Sequence, residues 1–232
     1  VLHKDNLITG AYITVARTLI GTLLSLAANA ILAFIVSRKR FLFQREVSLF
    51  WVITMYVNGG MIPTFLLYKG LGLTNSFWVY VIPGMVSAFN MLVIRTYMNG
   101  IPDSLEESAQ LDGANDWTIL SRIYLPLSKP ILATLTLFIG VGKWNDWFTG
   151  AYYQSKAALY PAATVLQKIL SEATASSQIK AGQETQLGNV TSFTSQSLQM
   201  AFVMILTMPI VVIYPFLQKY YVKGVMVGSV KG

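Results

Sequence analysis

The chain has 232 residues, of which 54% are hydrophobic and 12% charged, with a mean hydropathy of +0.53; a soluble domain carries about 25% charged residues, so this composition belongs to an integral membrane protein. Cysteine is absent and the one histidine, His3, lies near the terminus, which excludes disulfides, thiol chemistry, histidine metal clusters and histidine-based triads. The net charge of +7 fits Lys and Arg in cytoplasmic loops of a membrane chain better than a nucleic-acid surface.

Five apolar stretches are long enough to cross a bilayer, which takes about 20 residues each. They cover residues 8–36, 47–67, 76–94, 130–150 and 198–221. The runs are continuously apolar and do not alternate, which predicts helices and not a barrel. The expected fold is all-α: a polytopic membrane helical bundle forming a single transmembrane domain over 1–232. The chain starts at Val1 and shows no cleavable signal peptide, so an N-terminal piece with a sixth span is expected before it.

Basic residues orient the bundle. The link between the first two spans reads SRKRFLFQRE, with Arg38, Lys39, Arg40 and Arg45. Placing it in the cytoplasm collects ten Lys and Arg on that side (Arg95, Arg122, Lys129, Lys219, Lys223 and Lys231 join the four) against five outside. A loop at about 98–128 and a tail at about 222–232 then share the cytoplasm. A loop at about 151–197 lies outside. Its first part, AATVLQKILSEA, sets Val165, Leu166, Ile169, Leu170 and Ala173 on one helical face, and its polar second part reads as an extended loop.

The spans are interrupted. Asn58-Gly59-Gly60 and Pro63 fall in the second, Pro83-Gly84 and Asn90 in the third, Pro209 and Pro215 in the fifth. Singly, such residues serve helix packing; together they point to a transport path. Two cations, Arg17 and Lys143, lie at membrane depth, where a charge is functional or paired. Trp144 and Trp147 beside Lys143 offer aromatic faces, and Asn145 offers a hydrogen bond. In the bland reading Lys143 and Asp146, three apart, neutralise each other, and Arg17 snorkels to the outer surface.

Between the third and fourth spans the composition changes. Asp103, Glu106, Glu107, Asp112 and Asp116 are five of the ten carboxylates of the chain. The spacing predicts a helix capped by Ser104, with Glu107 closing a capping box and Leu105, Ala109 and Ala114 on its apolar side. Gly113 permits the left-handed turn that ends it. Asn115 or Asp116 then caps a second helix with Trp117, Ile119 and Leu120, and Pro126 and Pro130 turn the chain back to the membrane. A rigid helix–turn–helix outside the bilayer suits docking to another protein, and equally a solvated connector.

Glu107, Ala109, Gly113, Ile123, Leu125 and Pro126 match the EAA signature (E-A-A, three residues, G, nine residues, I, one residue, L-P), with Ser108 replacing the middle Ala. On these residues the chain resembles binding-protein-dependent ABC importer permeases. PDSLEESAQLDGA with YLPLSKP, NGGMIPTFLLYKGLGL, GKWNDWF and the closing GVMVGSVKG are similar to the carbohydrate branch, the second permease of maltose-type systems, and to permeases for alginate- or pectin-like fragments. The resemblance implies a multi-pass subunit of a bacterial cytoplasmic membrane, embedded in lipid and paired with a homologous second permease. It implies two ATPase subunits that hold ATP and Mg, and an extracytoplasmic solute-binding protein that delivers an oligosaccharide. The coupling element would be 104–116, with Ser104, Glu106, Glu107, Ala109, Asp112, Gly113 and Ala114. The tail, with Lys223, Gly224 and Lys231, would reach the ATPases. The outer loop around 174–193, with Gln183, Glu184, Gly188 and Asn189, would enter the binding protein. The path would use Arg17, Asn58, Asn90, Lys143, Trp144, Asn145 and Asp146.

No cofactor or metal site is expected in this chain, and no GxxxxGK[ST] phosphate loop occurs in it. An intramembrane enzyme would need a nucleophile–base pair or metal ligands, for which only Lys143 near Asp146 is available. An ion-gradient transporter or channel subunit would need intramembrane acids, of which Asp146 is the clear one.

Overall fold

A computed structural model describes residues 4–181 together with 200, 203–204, 207–212 and 214–215. The described residues are helical and contain no strand. α1 runs from Lys4 to Ser37 without a proline or a break, and Ile8–Ser37 is long and apolar enough to cross a membrane by itself. Every other apolar stretch among the described residues is shorter or broken. The second expected span is two helices, α2 (Gln44–Thr54) and α3 (Met61–Gly70), separated at Asn58-Gly59-Gly60. The Asn58 side chain accepts a bond from Gly60 N at 2.9 Å, a local turn that replaces helix pairing. The third is a 3-10 turn, Phe77–Tyr80, then an irregular segment across Pro83-Gly84, then α4 (Ala88–Met98).

α5 (Asp103–Leu111) and α6 (Asp116–Ile119) form the expected helix–turn–helix. A π-helix, Leu120–Tyr124, and the short α7 (Leu125–Leu127) lead to α8 (Lys129–Asn145). The chain bends by 77° between Asp116–Leu127 and Lys129–Asn145, where Pro126 and Pro130 were expected to turn it. α8 ends at Asp146, whose ψ of 104° is extended. α9 (Phe148–Tyr153) and α10 (Ala162–Ala181) follow. α10 continues through residues 174–181, in place of the expected extended loop: TASSQIKA has no Gly or Pro to stop a helix already begun at Ala162. Gln183, Glu184, Gly188, Asn189, Lys223, Gly224 and Lys231 lie outside the described residues.

α1 is the central post. It packs against α8, α4 and α10. One buried cluster lies toward the coupling end and joins Phe34, Met91, Ile94, Met98, Ile119, Tyr124 and Leu135; a second lies at the other end, around Ile13, Val79, Val81 and Tyr153. α2 and α3 bury no residue, and Leu49, Phe50, Ile53, Ile62, Leu66 and Leu67 are exposed. Such a surface needs lipid or another subunit against it.

The broken third span stays satisfied because of Asn29 on α1, which is not among the expected path residues. Its amide donates to Met85 O at 3.0 Å and Ser25 O at 2.7 Å, and its Oδ1 accepts from Ser87 N at 3.0 Å. Backbone freed at a break inside a membrane must find protein partners, and Asn29 supplies two. Asn29→Leu is expected to leave both groups unpaired and cost about 2 kcal/mol, read as a fall in the midpoint of detergent denaturation of the purified assembly. An unchanged midpoint would mean that the break finds other partners.

Candidate functional site

A cavity of about 400 Å³ opens between α1, the irregular third segment and the end of α8. Two chain breaks, at Pro83-Gly84 and at the end of α8, meet there against α1. Arg17 enters from α1 and is 1% exposed. Its guanidinium donates to Asp146 O at 2.5 Å and Trp144 O at 3.3 Å, the carbonyls left open where α8 stops, and pairs with the Asp146 carboxylate at 3.5 Å. Asp146 Oδ1 also accepts from Thr149 N at 3.1 Å and so starts α9. Lys143 comes from the last turn of α8. Its stem crosses Gly21 so closely that a Cβ there would lie 2.8 Å from Cδ and Cε. Its Nζ donates to Tyr80 O at 3.1 Å, a carbonyl freed by the turn before Pro83. Aromatic rings complete the wall: Tyr68, Tyr80, Phe148 and Tyr153. The Tyr80 ring lies 5.2 Å from the Arg17 guanidinium, and its hydroxyl is spent on Leu159 O at 2.7 Å.

This geometry corrects several expectations. The Asp146 carboxylate pairs with Arg17 and not Lys143, because the helix on which an i,i+3 pair would form ends between Lys143 and Asp146. Arg17 does not snorkel outward; it is buried. Trp144 lines a separate apolar pocket with Thr18, Leu19, Thr22, Val141 and Pro209, since adjacent helical positions point about 100° apart. Asn58 and Asn145 are exposed, Asn90 and Trp147 do not line the cavity, and only Arg17, Lys143 and Asp146 of the expected path residues do. The four aromatic residues were missed. Tyr and Phe are frequent throughout the chain, and nothing in spacing marks these four.

The coupling element has its own order. Pro102 occupies the N-cap of α5, so Ser104 falls inside the first turn and makes no cap, and the expected capping box is not formed. Acids in that turn, Asp103 and Glu106, still meet the positive end of the helix. The other end closes as expected. Gly113 has φ 77°, its N–H donates to Gln110 O at 2.9 Å, and Ala114 N donates to Ala109 O at 2.9 Å, a Schellman pair. Asn115 caps α6 by accepting from Thr118 N at 2.8 Å. Ala109 and Ala114 pack on the inner cluster, whereas Leu105 is exposed.

Glu106 points inward and is held by Arg38 and by the Tyr124 hydroxyl at 3.2 Å, while Glu107 is exposed. Asp116 pairs with Arg40. Lys39 donates to Asp103 at 2.5 Å; this hydrogen bond, with its charge, holds the Asp103 carboxyl below its usual range and the Lys39 ammonium above its own. The pair is exposed, so salt screens it. The Asp103 contribution is present above the ordinary carboxylate pKa and is lost as pH falls through the lowered one. Leu111, Asp112 and Trp117 remain on the outer surface, the first 89% exposed.

Spans broken around a charged, aromatic-walled cavity, with a rigid helical element held outside between two spans, are the parts of a membrane permease. The family of binding-protein-dependent transport system inner membrane components matches residues 21–227. The polygalacturonan/rhamnogalacturonan transport system permease protein YtcP of Bacillus subtilis (strain 168) is 36% identical over the whole chain and 80% of the relative. Protein LplC of the same organism is 38% identical over 95% of the chain and 73% of the relative. A solved bacterial ABC transporter involved in importing the acidic polysaccharide alginate superposes with a TM-score of 0.81 at 30% identity, covering 95% of this chain and 77% of that one. The chain belongs to this family and is a permease, an inner membrane component of a binding-protein-dependent transport system.

Proposed function

We propose that this chain forms half of the translocation path of an ATP-driven oligosaccharide importer, and that its cargo is acidic, a uronate oligomer. The names of its relatives support a sugar: permeases for polygalacturonan/rhamnogalacturonan, arabinooligosaccharides and galactooligosaccharides. The observation that carries the acidic reading is the charge of the cavity. Arg17 and Lys143 face one carboxylate, Asp146, which Arg17 already holds. Two cations against one anion leave one positive charge, on a Lys143 ammonium bonded to a neutral carbonyl. A carboxylate passing through gains a charge-assisted hydrogen bond there, and the rings of Tyr68 and Tyr153 give sugar faces apolar contact.

A homologous second permease completes the path, and a binding protein outside delivers the oligosaccharide. Two ATPase subunits hold ATP and Mg and dock on α5, α6 and the exposed Leu111 and Trp117. Asp146 fits the ion-gradient alternative poorly, since its carboxylate is engaged by Arg17 and Thr149.

Lys143→Gln tests the cargo. Competing uptake of trigalacturonate and a neutral galactose trimer is measured in proteoliposomes of the complete importer. The wild type is expected to favour the acid. The variant is expected to lose that preference by about tenfold, or about 1.4 kcal/mol, the scale of one charged hydrogen bond. Equal handling of both trimers by the wild type removes the acidic reading.

A further inference from the structure

Three buried polar side chains along α1 and just beyond it, Arg17, Asn29 and Arg38, each grip a different part of the path or its drive. Arg17 holds the end of α8 at the cavity. Asn29 holds the break of the third segment. Arg38, one residue beyond the helix, holds the coupling element: its guanidinium donates to the Glu106 carboxylate and the Tyr124 hydroxyl and lies 4.0 Å over the Tyr124 ring. Arg17 and Arg38 are 21 positions apart, about 31 Å along a helix, roughly the thickness of a bilayer core. Between Arg17 and Arg38 there is one glycine, Gly21, and no proline, and α1 runs unbroken to Ser37, so no proline kinks it.

The Arg38 cluster is built where folding alone would not ask for it. Arg38 is 8% exposed, the Glu106 side chain 13% and Tyr124 fully buried. A buried ion pair adds little stability over apolar residues of the same shape; its attested use is to fix one register. Tyr124 reaches the pair from the π-helix Leu120–Tyr124, and an inserted residue of this kind often marks a functional position. The two adjacent glutamates then divide their tasks, Glu107 facing out and Glu106 facing α1.

We propose that α1 is a rigid strut that carries displacement of α5 to the cavity, with Arg38 and Glu106 as positioning residues at its driven end. The test uses the complete importer in proteoliposomes and reads sugar uptake per ATP hydrolysed. Arg38→Gln and Glu106→Gln are each expected to lower that ratio about tenfold, and the exchange Arg38→Glu with Glu106→Arg to recover part of it. A third variant, Ala27→Gly with Ile31→Gly, alters two exposed positions in the middle of the helix, away from Arg17 and Arg38. It softens the helix, and the ratio is expected to fall at least threefold. A wild-type ratio in the glycine pair overturns the strut. A wild-type ratio in assembled Glu106→Gln overturns the role of the ion pair. Where the charge variants fail to assemble, the glycine pair decides.

Discussion

Gly113→Val is expected to reduce uptake at least tenfold while the chain still inserts and assembles. At φ 77° a residue with a Cβ is strained, by about 1–2 kcal/mol for ordinary side chains and more for a β-branched one. Nothing lies within 4 Å of a Cβ built there, so the penalty comes from backbone conformation and not from a clash. That distinction orders the substitutions. Asn tolerates the left-handed region, Ala does so at a cost, and Val scarcely does. Gly113→Asn is therefore expected near wild type, Gly113→Ala intermediate and Gly113→Val lowest. The relief for Val is to undo the Schellman pair, which releases Gln110 O and Ala109 O and frees α5 from α6. Uptake and ATP hydrolysis of the reconstituted importer give the series. An order set by side-chain volume, with Asn as damaging as Val, would contradict the backbone account.

Arg17→Leu is expected to destabilise the subunit by about 2–3 kcal/mol, the scale of charged hydrogen bonds lost from a buried guanidinium whose carboxylate partner is 32% exposed. It strands the Asp146 carboxylate and the carbonyls of Trp144 and Asp146 at the wall of the cavity. Arg17→Lys recovers little, because an ammonium cannot spread its donors over two carbonyls and a carboxylate. The yield of assembled complex after detergent extraction is the measurement. Removing the stranded charge as well, by Arg17→Leu with Asp146→Asn, is expected to recover part of it. If the single variant assembles like the wild type, the carbonyls of this break are satisfied without Arg17.

What could be read in the sequence followed how local the cause was. The turn at Gly113 and the cap at Asn115 depend on residues three to five positions apart, and both stand where their spacing places them. The capping box at Ser104 also rests on local spacing, yet α5 begins two residues earlier than expected, which moves Ser104 past the cap. The pairing of Lys143 with Asp146 assumed a helix through both; extended backbone at Asp146 removes that premise. Its actual partner, Arg17, is 129 positions away, beyond any periodicity. Asn29 did carry a signal, a lone amide in the middle of a long apolar helix, and polar residues at such depth are costly unless paired or functional. The apolar stretches were legible as membrane segments. Their division at Asn58-Gly59-Gly60 rests on a local turn, whereas the break at Pro83-Gly84 is held open by tertiary contacts from Asn29.

The most direct measurement is accumulation of labelled trigalacturonate in proteoliposomes containing this chain, its second permease, the ATPase pair and the binding protein. Uptake is expected only when ATP is enclosed on the side of α5 and the loaded binding protein is supplied on the other. It is expected to be unaffected when proton and sodium gradients are dissipated. Uptake that proceeds without ATP and collapses with the ion gradient would contradict the account.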